Sequence, residues 1–99
     1  MTYIQLLKSK VDGKKYTAIF YDEERSKIKT VHFGAAGMSD FTKHKDEERK
    51  QRYIARHSAN ENWNDYMTAG SLSYHLLWSK PTLSASYNDY IKKFKLKKY

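Results

Sequence analysis

The chain contains no cysteine, so neither a disulfide nor a thiolate metal site can hold it together. It has a single proline and nothing near the ~18–20 consecutive apolar residues of a membrane-spanning helix. Met1 to Lys10 lack the order of a secretory signal. Acid is short: eleven Asp and Glu stand against nineteen Lys and Arg, a formal charge of +8. These shortages exclude a disulfide scaffold and a membrane-spanning helix. Together they suggest an intracellular chain, in cytoplasm or nucleus, with no membrane partner.

What is present is base and aromatic rings. Aromatics make up 15% of the 99 residues, and nine of them are Tyr. Tyr buries a ring while leaving a hydroxyl for water or a polar partner. The positive charge steers the chain toward anions and nucleic acid. Fifteen of the nineteen basic residues are Lys, which suits diffuse phosphate contact rather than bidentate recognition.

The first third reads as sheet. Tyr3–Lys8, Lys15–Tyr21 and Lys27–Phe33 are β-rich runs, separated by the Asp12-Gly13 turn and the polar stretch Asp22–Ser26. They predict an antiparallel three-stranded meander. Gly34-Ala35-Ala36-Gly37 is expected to end the sheet. Asp46 is a candidate N-cap for a helix to His57, with Glu47 and Glu48 at its positive end and Tyr53, Ile54 and His57 on its buried side. Ser58–Gly70 reads as loop with Trp63 and Tyr66 as anchors. Ser71–Trp78 is a short helix. Thr82 caps a last helix over 83–95, with Leu83, Tyr87, Ile91 and Phe94 at helical spacing. Strands followed by helices predict an α+β fold, with about three helices on one face of a small antiparallel sheet. Residues 1–99 form one domain: strands over about 3–33, helices over about 44–95 and a Lys-rich tail over 92–99.

Arg49, Arg52 and Arg56 recur at i, i+3 and i+7 and so share one helix face, with Lys43, Lys45 and Lys50 nearby. Such a stripe can track phosphates, its guanidinium forks matching phosphate oxygens. It can equally be a solvated face in which Glu48 pairs with Arg52. Lys92, Lys93, Lys95, Lys97 and Lys98 interleave with Phe94, Leu96 and Tyr99. That tail reads as a flexible basic arm, as a strand against another subunit, or as a solubilising helix end. The Gly34–Gly37 run lacks the spacing of a dinucleotide or P-loop motif and is expected to be a turn. His32, His44, His57 and His75 match no compact metal-ligand spacing, so no metal or cofactor is expected. No acid pair or nucleophile motif predicts catalysis. Trp63 and Trp78 could stack on bases, whereas Tyr3, Tyr87 and Tyr90 suit a core.

The string His32-Phe33-Gly34-Ala35-Ala36-Gly37-Met38-Ser39-Asp40-Phe41-Thr42-Lys43-His44-Lys45-Asp46 continues through Arg49, Arg52-Tyr53, Arg56-His57, Trp63, Thr68-Ala69-Gly70 and Leu76-Leu77-Trp78-Ser79-Lys80-Pro81-Thr82-Leu83 to Ser86. It resembles a family of small basic proteins encoded by large double-stranded DNA viruses of eukaryotes. The resemblance implies an infected cell or a virion as the setting. The strands leading to Phe33-Gly34 are also similar to a WGR nucleic-acid-associated module, with Phe33 where that module has Trp, a likeness of fold alone. The leading expectation is a non-enzymatic, virion-associated protein that binds nucleic acid, double-stranded DNA above all, without reading sequence. The alternative is a minor capsid or scaffold component that docks its aromatic and basic surface on a larger viral protein.

Overall fold

A computed structural model describes all 99 residues. Strands β1 (Tyr3–Lys8), β2 (Lys14–Tyr21) and β3 (Lys27–Ala35) form the predicted meander. Their register follows the alternation of apolar residues. Ile4 pairs with Phe20, Leu6 with Ala18, Ala18 with Val31 and Tyr16 with Phe33. Side chains alternate across a strand, so these residues share one face. That face is the buried one: Ile4, Ala18, Phe20 and Phe33 are 0% exposed. Gly13, at φ +82°, closes the first hairpin. In the second, the Asp22 carboxylate accepts the N–H groups of Glu24 and Ser26 at 3.0 and 2.8 Å.

Two features of the sheet differ from the sequence reading. The sheet ends inside the Gly34–Gly37 run but two residues later than expected, because Ala35 still pairs with Lys14. The small size of Gly34 and Ala35 lets a helix approach: a Cβ at Gly34 (φ +78°) would stand 2.9 Å from Leu77 Cδ1. The sheet also has a fourth strand. After Phe94 the chain reverses through Lys95, at φ 54°, and buried Leu96 pins the return. Residues Lys97–Lys98 then form β4, parallel to β1. The Lys97 N–H donates to Thr2 O at 3.0 Å and the Tyr99 N–H to Ile4 O at 2.9 Å. The strand order is β3-β2-β1-β4, a mixed sheet rather than a purely antiparallel one. The tail is therefore an ordered edge strand, not a flexible arm.

The helices are α1 (Phe41–His44), α2 (Glu47–His57), α3 (Ala69–Leu77) and α4 (Leu83–Phe94). The side chains of Asp40, Asp46, Thr68 and Thr82 cap them in turn, each on extended backbone. The sequence reading contains the last three and lacks the single turn of α1. Leu72, Leu76 and Leu77 of α3 and Tyr90 of α4 complete the core with the sheet. Burying each large apolar side chain contributes about 1.5–3 kcal/mol. The 58–68 segment is tied down. Trp63 stacks on Tyr74 at 3.8 Å, and its carbonyl accepts from Ser71 Oγ at 2.8 Å. The same carbonyl lies 2.9 Å from His75 Nε2. Burial lowers the His75 pKa, so the ring is neutral and donates that bond. The Tyr90 hydroxyl donates to the Tyr66 carbonyl. The sheet's other face, carrying Tyr3, Gln5, Leu7, Ile19 and Thr30, packs no helix of this core.

Candidate functional site: an arginine-ended cleft

Helix α2 stands apart from the core and is held by one face. Tyr53 is its only buried residue. The Tyr53 ring lies flat on Trp78, with centroids 4.2 Å apart and planes 4° apart. His57 covers its other side at 4.3 Å. One turn back, the Lys50 ammonium donates to Ser79 O at 2.8 Å and sits 4.9 Å from the Phe41 ring centroid. Docking through residues 50, 53 and 57 leaves Arg49, Arg52 and Arg56 along the helix flank.

Between that flank, the end of β3 and the end of α3 runs a cleft of three adjoining compartments. The first, about 250 Å³, is walled by Arg49, Arg52 and Arg56 with Met38, Ser39 and Trp78. The middle one, about 310 Å³, shares Met38, Ser39, Arg56 and Trp78 with the first and adds Lys15, Ala35, Asp40, Tyr53 and Leu77. The third, about 260 Å³, continues past Ala35, Tyr53 and His57 to Glu61, Gly70 and Ser73.

The floor of the cleft is an internal ion pair. The Lys15 ammonium donates to Asp40, and the two side chains are 11% and 3% exposed. Asp40 also accepts the Thr42 hydroxyl and, at 3.0 Å, the Thr42 N–H as the cap of α1. Burial works to raise the Asp40 pKa, but Lys15 and Thr42 outweigh it and hold the carboxyl below its ordinary value. The floor thus carries no net charge, and the arginines set the field of the cleft. Arg52 meets Glu48 at 3.4 Å, an exposed pair of little energetic weight. Arg49 and Arg56 have no ion-pair partner. The hydroxyls of Ser39, Ser73 and Tyr53 make no hydrogen bond within the protein, and none is sealed from solvent. Burial, with Glu61 adding and Arg56 opposing, pushes the Tyr53 pKa up to about 12, so the phenol stays protonated and can donate. At the far end, His57 Nδ1 lies 3.8 Å from Glu61, whose carboxylate accepts the Trp63 indole N–H at 2.9 Å.

The structure divides the residues singled out from sequence. Arg49, Arg52 and Arg56 do converge on one compartment. Lys43 is exposed on α1, and the Lys45 ammonium donates to Thr42 O at 3.1 Å. Lys50 is spent on Ser79 O and helps seat α2, apart from the three arginines. Lys92 and Lys93 end α4, Lys95 caps it, and Lys97 and Lys98 lie in β4. The Lys98 ammonium sits 5.4 Å from the Tyr87 ring centroid. These lysines do not join the arginines. β4 pairs beside Tyr3, whereas the cleft opens beside the Lys14–Ala35 pair. Strand rise and spacing put those corners about 25 Å apart. The Gly34–Gly37 turn forms no anion nest, since the Ala36 N–H donates to Gly13 O at 2.9 Å and the Met38 N–H to Ala35 O at 3.2 Å. The histidines are scattered into separate roles. His32 Nδ1 meets Thr17 Oγ1 at 2.7 Å, and His44 Nδ1 accepts the Asp46 N–H at 2.9 Å. No three His, Asp or Glu side chains gather as metal ligands. The sequence reading did not place Lys15, Tyr53, Ser73 or Trp78 at a common site. Asp40 carried a usable signal, an Asp directly before a short helix, but its ion pair with Lys15 spans 25 positions.

The profile of DUF5754, a family of unknown function, matches residues 4–57, more than half of the 99-residue chain. The chain belongs to DUF5754. No curated protein and no solved structure matches it. The DUF5754 segment spans β1 to α2. It therefore holds Lys15, Asp40, Tyr53, His57 and the three arginines, while Ser73, Trp78 and every lysine of the tail lie outside it. It coincides with the 32–86 resemblance string only over residues 32–57.

Proposed function

We propose that this DUF5754 protein binds nucleic acid through phosphates, without reading sequence, and that the arginine end of the cleft is the contact. The carrying observation is the convergence of Arg49, Arg52 and Arg56 on one open compartment, two of them without a carboxylate partner, beside a middle compartment in which the Lys15 and Asp40 charges cancel. Guanidinium forks fit phosphate oxygens, and phosphate contacts position a chain without carrying sequence information. We include Lys43 and Lys45, both exposed and just ahead of α2 in the chain, as further phosphate contacts. The net charge of +8 supplies long-range attraction. Duplex DNA is the favoured partner, and the resemblance over residues 32–86 supports an infected cell or a virion as the setting.

Fluorescence anisotropy on a random-sequence duplex tests this. Five basic groups of which about four engage give a log–log salt slope near −3.6. Affinity then falls about 150-fold between about 50 and 200 mM salt. Replacing Arg49, Arg52 and Arg56 with Ala should bring the slope to about −1. A slope unchanged by the triple replacement would refute the reading.

A second reading rests on the helix-free sheet face. Leu7, Val11 and Ile28 are exposed there, beside Lys8, Lys10 and Lys27. That surface suits a minor capsid or scaffold component docking on a larger viral protein. Such a contact would survive moderate salt and tolerate loss of the three arginines, but not Leu7→Asp.

A further inference from the structure

We infer that the cleft takes one unpaired nucleotide, its phosphate on the three arginines and its base in the middle compartment. This rests on the phosphate reading above and narrows it. A site for backbone phosphate alone needs only the arginine flank. Here that flank opens directly into a second compartment of about 310 Å³, with Met38, Ser39, Arg56 and Trp78 common to both. That volume is at the small end of the range for bound small molecules, about 300–1,000 Å³.

The lining matches a planar, polar-edged ring. Leu77, Met38 and Ala35 offer apolar contact. His57 and Trp78 stack on the two faces of Tyr53, so a ligand meets the Tyr53 ring at its edge, a favourable geometry for aromatic pairs. The polar groups that remain are unspent. Ser39, Ser73 and the Tyr53 hydroxyl have no partner in the protein and stay open to solvent, so the polar edge of a ligand can replace water on them. Tyr53 is 8% exposed and keeps its proton, which makes it a donor to a ring nitrogen or carbonyl. The near-neutral floor admits an uncharged base, while the arginines draw the phosphate to the other end. A continuous duplex can meet only the arginine flank and leaves the middle compartment empty, because its bases are stacked and paired. A single strand, a frayed end or a bulge can fill it.

The test compares strands with equal phosphates. Oligothymidylate and an abasic strand of the same length are labelled and titrated against the wild-type protein by anisotropy at one salt concentration. The expected result is at least about tenfold tighter binding of the base-bearing strand, the size of one base contact. Thymidine monophosphate should displace it at about tenfold lower concentration than deoxyribose 5-phosphate. Ala35→Leu and Ser73→Leu each fill the middle compartment, and in either folded variant the ratio between strands should collapse. Equal binding of the two strands by wild type, with the salt slope still set by the arginines, overturns this inference and leaves the phosphate reading standing. Binding of both strands that ignores the arginine replacements removes the phosphate reading and this one with it.

Discussion

Replacing Lys15 with Met should destabilise the fold by about 3 kcal/mol at neutral pH, the lower end of what breaking a buried ion pair costs. The figure follows from the environment. Asp40 is 3% exposed and Lys15 11%, so water reaches neither well enough to substitute for the lost partner. Met fills nearly the same volume, so the loss is electrostatic and not a cavity. In a chain of this size, about 3 kcal/mol lowers Tm by roughly 12 °C or more. The pH dependence is the sharper part. In wild type the Asp40 pKa is held below its unfolded value, near 3.9. Its contribution is therefore present above that value and lost as pH falls through the folded pKa. In the variant, burial is no longer opposed by Lys15, so Asp40 takes a proton more readily when folded. Acid should then relieve the variant while it weakens wild type. Urea unfolding followed by circular dichroism at pH 7 and at about pH 4 should show the gap closing. Adding Asp40→Asn to the variant should restore part of the loss, because the amide oxygen still caps α1 without a charge. A gap below about 1 kcal/mol at pH 7, or one that holds steady into acid, would refute the buried-pair argument.

Three further outcomes follow from the fold. Gly34→Ala should cost about 2–4 kcal/mol, the sum of a positive φ and a Cβ driven into Leu77, whereas Gly37→Ala has the same φ problem in open space and should cost about 1 kcal/mol; urea midpoints distinguish them. His75, neutral and donating to Trp63 O, has a lowered pKa, so the unfolded state takes up a proton first and stability should fall as pH drops below about 6.5; an NMR titration of the His75 ring should report a value under that of a free imidazole. Leu96→Ala should cost about 2–3 kcal/mol and speed amide exchange at Lys97 and Tyr99, because the buried Leu96 side chain is what holds β4 to β1.

The parts of the fold that were legible are those written locally. Strand alternation placed β1 to β3 within one or two residues of their ends. Asp46 and Thr82 announced their helices as caps. The arginine stripe was legible because helical spacing alone brings residues 49, 52 and 56 to one flank. What the sequence hid depends on distant partners. Lys50 looks like its basic neighbours until Ser79, 29 positions on, claims its ammonium. Lys15 and Asp40 are unremarkable until a buried pair joins them. β4 is two residues long and exists only because β1 offers an edge at the far end of the chain. Gly34 and Ala35 look like a sheet terminator, yet their smallness admits Leu77. The middle of the cleft likewise forms from four segments that no local pattern links.

The pairing of β4 with β1 also fixes how the domain would respond to force. Because those strands run parallel, a pull applied between residues 1 and 99 draws them past each other lengthwise. The Lys97–Thr2 and Tyr99–Ile4 hydrogen bonds lie across that direction, so they would be strained together rather than opened one at a time. A two-residue strand makes a short clasp. Until it slips, however, the tension is carried along one edge of the sheet, and the arginine-ended cleft at the opposite corner lies outside the loaded path.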